Sequence, residues 1–107
     1  MSPAQVRALN DAFRRSLSGG KVMMTAGIAA LPDATRARVL DEMRQFEAFS
    51  ADNDPLGEHD FGSLEVDGRK IFWKIDYYDA AMEFGSEDPA DPTKTTRVLT
   101  IMLASEY

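Results

Sequence analysis

The chain has 107 residues, no cysteine and a formal charge of −6. Residues 1–107 therefore suit a single domain, one that buries roughly two-thirds of its unfolded surface. The lack of cysteine excludes disulfides, thiolate nucleophiles and Cys-ligated zinc.

Ser2-Pro3-Ala4-Gln5 predicts a helix start, with Ser2 as cap, Pro3 at the first position and Gln5 at capping-box spacing. Val6, Leu9, Phe13 and Leu17 then give one apolar stripe, and Gly19-Gly20 reads as the stop. KVMMTAG, residues 21–27, is short, apolar and Gly-bounded, and reads as a buried strand. Pro32-Asp33 opens a second helix running to about Phe49, with Leu40, Met43 and Phe46, and Val39 and Ala37 alongside, on its buried face. A loop, DNDPLGEHDF, covers 52–61. Beyond it Phe61–Val66 and Arg69–Tyr77 flank Asp67-Gly68, a strong hairpin signal because both central residues of a type I′ turn need positive φ. Ile71, Trp73, Ile75 and Tyr77 form the core face of the second arm by their period of two. GSEDPADPT, 85–93, is an acidic loop, and Thr95–Ala104 reads as a central strand. The expected fold is α+β, two helices packed on one face of a roughly four-stranded antiparallel sheet containing a 61–77 β-hairpin.

No apolar run approaches the roughly 18 residues of a membrane span. MSPAQVRALND lacks the apolar stretch of an export signal. A cytoplasmic protein with no membrane partner is expected.

Charge is uneven along the chain. Residues 52–91 carry twelve acidic and three basic side chains, −9 in all, whereas 1–51 carry +2 and 92–107 carry +1. Such asymmetry speaks of partners rather than of fold. Direct binding of nucleic acid is disfavoured, because phosphate neutralisation needs clustered Lys and Arg.

The segments LNDAFRR, MTAGIAALP, FSADNDPLGEHDFG, IFWKIDYYD and GSEDPADPTKTTRVLTIMLASEY resemble, in this order, domain-of-unknown-function family 3768. The resemblance implies a small stand-alone bacterial protein, often carried on mobile elements. It implies no catalytic residues. Small acidic proteins on mobile elements often act against host defences, so the resemblance adds a hint of an anti-restriction or anti-CRISPR role.

The candidate constellations are then three. Asp52, Asp54, Glu58, His59 and Asp60 offer ligands for a metal ion. An EF-hand register beginning at Asp52 puts Gly57 correctly at the sixth position but Leu56 at the fifth and Ser63 at the twelfth, which breaks the ligand set. Caps and turns before Pro55, with a local hydrogen bond for His59, account for the same residues. Hydrolytic catalysis has less support: one His, no Cys and no Gly-x-Ser-x-Gly elbow leave Ser63 or Ser86 without a constellation. Gly19-Gly20-Lys21 is not a P-loop, because it precedes a strand. The acidic density itself is the third. Residues 52–60, 76–83 and 86–91 are acidic segments at strand ends. A generic acidic surface that keeps a small protein soluble accounts for these residues. Meeting on one edge or face of a small sheet, their carboxylates would instead imitate a nucleic-acid backbone and steer a Lys/Arg-rich partner. On this reading the partner-facing residues are Asp52, Asp54, Glu58, Asp60, Asp76, Tyr78, Asp79, Glu83, Glu87, Asp88 and Asp91. The expectation is a non-enzymatic, cofactor-free protein that binds a basic partner, with a metal-binding module or small metal-dependent enzyme centred on Asp52–Asp60 as the alternative.

Overall fold

In the computed structural model, which describes residues 2–107, Ser2 caps the first helix as its sequence predicts. Its Oγ accepts from the Gln5 amide and the Gln5 Oε1 accepts from the Ser2 amide, both at 3.2 Å. Helix α1, Pro3–Ser16, buries Val6 and Phe13. It stops two residues before the expected Gly pair: Leu17 takes the left-handed conformation at φ 58° and donates its amide to the Phe13 carbonyl at 2.7 Å. Gly20 has a different task. A Cβ there would stand 2.5 Å from the Arg97 carbonyl oxygen and 2.8 Å from the Phe13 ring. Its bareness lets strand β1, Gly20–Met24, close onto the sheet.

The expected buried strand in 21–27 is an edge strand instead. Val22 alone is half-buried, and Met23 is 56 % exposed. The remainder of KVMMTAG enters a short helix α2, Ala26–Ala29, which places Ile28 fully in the core. Helix α3, Asp33–Arg44, ends sooner than its apolar pattern suggests. Phe46 and Phe49 lie beyond it and turn toward Trp73, with ring centroids 5.6 and 6.1 Å from the indole. Burial on Trp73 thus extends the apolar periodicity past the last helical turn.

The hairpin forms where expected. Strand β2, Phe61–Val66, pairs antiparallel with β3, Arg69–Asp79, through Asp67 at φ 51° and Gly68 at φ 76°. Strand β4, Thr95–Leu103, is central, and a 3₁₀ turn at Ala104–Glu106 follows it. The strand order is β1-β4-β3-β2. The sheet is mixed rather than antiparallel throughout, because β1 runs parallel to β4. A parallel neighbour requires a long crossover, and here everything from α2 to β3 supplies it. The fold is α+β. Phe13, Ile28, Val39 and Met43 from the helices cluster with Ile71, Trp73, Ile75, Leu99 and Ile101 of β3 and β4 in one core.

Among the described residues no helix is long and apolar enough to cross a membrane.

Candidate functional site

The pairing of β3 decides where the acidic segments lie. Both its neighbours in the sheet, β2 and β4, run antiparallel to it. The start of β2, the end of β3 and the start of β4 therefore share one end of the sheet. Residues 52–60 lead into β2 there, and 80–94 connect β3 to β4 there.

Asp60 reports the charge density at that end. Its carbonyl accepts from the Ile75 amide at 2.8 Å. Burial holds its carboxyl above the ordinary carboxylate range, and the neighbouring charges of Glu58, Asp54 and Asp76 push the same way against a backbone hydrogen bond. Asp76 also faces Lys74 at 2.9 Å.

The other acidic positions divide by task. Asp79 Oδ1 accepts from the Glu83 amide at 3.0 Å, and Asp88 Oδ1 from the Ala90 amide at 3.2 Å. Asp91 Oδ1 accepts from the Thr93 amide and hydroxyl at 2.9 and 2.6 Å, which lowers its carboxyl below the usual range. These three shape the loop between β3 and β4. Asp52, Glu83 and Glu87 are exposed, and their carboxylates accept no hydrogen bond from the described residues. Tyr78 is half-buried and bridges to Gly85.

Asp54 turns inward. It is 8 % exposed, and the His59 amide donates to its two oxygens at 3.1 and 3.3 Å. The ring of His59 has Nδ1 at 2.9 Å from Asp11 and Nε2 at 3.6 Å from Asp54. Nδ1 is within hydrogen-bond distance of Asp11, whereas Asp54 faces Nε2 as a nearby charge rather than as a hydrogen-bond partner. The Tyr77 hydroxyl donates to Glu58 Oε1 at 3.1 Å. Asp54 and His59 thus hold each other, Glu58 is held by Tyr77 and Asp60 by Ile75, with Asp52 exposed apart from them. Among the described residues no group of three or more His, Cys, Asp or Glu is arranged to hold a metal ion.

Behind the acidic loops lies a buried polar junction that charge counting misses. Asn10, fully buried on α1, donates from Nδ2 to the Tyr77 hydroxyl at 2.8 Å and to the Glu58 carbonyl at 3.0 Å. Arg97 Nε donates to Asn10 Oδ1 at 2.8 Å, and its Nη2 donates to the Pro89 carbonyl. The same guanidinium lies 5.3 Å from the Tyr77 ring centre. Arg14, also fully buried, donates to Asp11 and to the Phe46 carbonyl at 3.0 Å each and lies over Trp73 and Phe49. Burial raises the Tyr77 hydroxyl far above its ordinary pKa and lowers that of Arg97. One signal for this junction exists in sequence: the helical period through Val6 and Phe13 also passes through Asn10 and Arg14.

The site is therefore an acidic sheet end standing on a buried polar junction of Asn10, Arg14, Tyr77 and Arg97. The chain belongs to the family described as Protein of unknown function (DUF3768), which it matches over residues 24–106. No curated protein and no solved structure matches it. The family match begins at the last residue of β1, so Asn10, Asp11 and Arg14, and the LNDAFRR motif that holds them, lie outside it.

Proposed function

We propose that the protein is a non-enzymatic binding protein whose acidic sheet end engages a basic partner. The observation that supports this is the antiparallel pairing of β3 with both neighbours, by which 52–60 and 79–91 attach to one end of the sheet. Exposed Asp52, Glu83 and Glu87 are the groups best placed for contact, with Glu58, Asp60, Asp76, Tyr78, Asp79, Asp88 and Asp91 around them. Asp54 contributes charge from beneath, as a buried anchor of the loop. In this reading α1 and α3 lie together over the sheet face that carries Trp73, and the acidic end stays free.

A surface of this sign suits a protein that itself handles nucleic acid, since carboxylates compete for a groove made for phosphates. The concrete form of the reading is an inhibitor of a nucleic-acid-binding effector, of anti-restriction or anti-CRISPR type, acting in the cytoplasm. The test is capture of proteins from a lysate of the source cell, with and without duplex DNA as competitor. The reading expects basic proteins that DNA displaces. Capture of a set indifferent to DNA would oppose it.

A further inference from the structure

Arg97 is a buried cation without a carboxylate partner. It is 3 % exposed. Its Nε and Nη2 donate to neutral oxygens, those of Asn10 and Pro89, and Nη1 has no hydrogen bond to the described residues. No ion pair among those residues includes it. Glu58 acts on it only from a distance. Burying a guanidinium away from any counter-charge is costly, and an anion at the free nitrogen offsets that cost.

Space for one is present. Arg97 lines a cavity of about 150 Å³ between the end of α1, Ser18-Gly19 and the segment Pro92–Thr95. Leu9, Ala12, Phe13 and Pro92 make its walls largely apolar. At about 30 Å³ for a water-sized group, the cavity holds roughly five heavy atoms. We propose that this cavity binds a carboxylate carried on a short apolar body, with the carboxylate at Arg97 Nη1 and the body against Leu9, Ala12 and Pro92. A carboxylate suits the site better than a phosphate. The protein is already at −6, and a dianion at the acidic end is repelled more than a monoanion. The inference is separate from the acidic-surface reading and survives its failure.

The carboxylate could belong to a free short-chain acid or to the last residue of a peptide, and the experiment separates the two. Butyrate, butyramide, inorganic phosphate and a tripeptide ending in alanine are titrated into the full chain, with the Arg97 Nε–H and Gly19 amide resonances as readout. The expected result is saturable shifts with butyrate and none with butyramide or phosphate. Arg97→Gln should weaken butyrate about tenfold or more, the loss of one charge-assisted hydrogen bond. Should that variant fail to fold, Ala12→Leu fills the cavity from an exposed helical position; it should melt like the wild type and lose butyrate. Saturable binding of the tripeptide assigns the site to a chain terminus, and its absence assigns it to a free acid. Non-saturable shifts, equal response to butyramide, preference for phosphate, or butyrate binding unchanged in Ala12→Leu would each overturn the proposal.

Discussion

The imidazole of His59 lies flat on the ring of Phe49, with centroids 3.7 Å apart and planes 4° from parallel. The stack joins the acidic loop to the segment after α3, and Asp11 ties the same ring to α1. His59 holds φ 55°, a conformation Asn also tolerates, so His59→Asn isolates the side chain from the backbone. Loss of the stack and of one hydrogen bond to a carboxylate should cost about 2 kcal/mol in urea unfolding. A change within about 0.5 kcal/mol, the range of an ordinary surface substitution, would mean that the loop is not anchored there. Melting curves in EDTA and in excess Zn²⁺ or Mn²⁺ should coincide, since an ion that binds only the folded state must raise its stability.

Two glycines set the hairpin for different reasons. A Cβ at Gly62 would intrude into the Trp73 indole, 2.6 Å from Cζ2, so Gly62→Ala should destabilise the core by about 1–3 kcal/mol, the usual range for overpacking. Gly68 has open space around it but φ 76°. Gly68→Val should therefore cost about 1–2 kcal/mol through backbone conformation alone, and Gly68→Asn much less. Equal melting temperatures for the Val and Asn variants would contradict the turn.

Two carboxylates should have opposite pH signatures. The folded pKa of Asp60 is raised above 3.8 by burial and by Glu58, so its ionised form opposes folding at neutral pH. Asp60→Asn should raise the melting temperature at pH 7, and the gain should shrink as pH falls through the raised folded pKa and vanish below the unfolded value. Asp67 is lowered below 3.8, first by its hydrogen bond from Thr35 and then by Arg38. Its stabilisation is present above the unfolded value and is lost as pH falls through the depressed folded one. Asp67→Asn should therefore lower the melting temperature at pH 7, with the difference closing in strong acid. Parallel melting-temperature profiles for the two variants would refute both assignments.

The hairpin and the capped first helix were legible because their signals are local: Asp67-Gly68 between alternating residues, and Ser2 with Gln5. The orientation of β1 was not, since its pairing with β4 joins Gly20 to Arg97 across most of the chain. The end of α3 was misplaced because Phe46 and Phe49 keep apolar spacing while serving Trp73 from outside the helix. Arg14 and Arg97 are of a residue type that is mostly exposed, yet both are buried. Residue type cannot reveal that Asn10, far away in sequence, accepts from Arg97 inside the protein. The acidic segments were visible as a composition shift, but their common end follows only from the strand pairing. The inward turn of Asp54 follows only from the positive-φ backbone at His59, whose amide it receives.

The central claim is that the acidic sheet end makes the contact, and charge reversal at its exposed positions tests it most directly. Asp52→Lys, Glu83→Lys and Glu87→Lys are combined in one variant, since none of these carboxylates accepts a hydrogen bond from the described residues. Asp41→Lys with Glu42→Lys, exposed on α3, is the control. The association rate with captured basic proteins is measured for both and for the wild type across a salt series. The account predicts that wild type and control associate at similar rates that fall steeply with salt, because exposed charges are screened beyond about 8 Å at physiological ionic strength. It predicts that the sheet-end variant associates at least about tenfold more slowly at low salt, with an unchanged melting temperature. Equal rates for the sheet-end variant and the wild type, or an equal loss in the control, would contradict it.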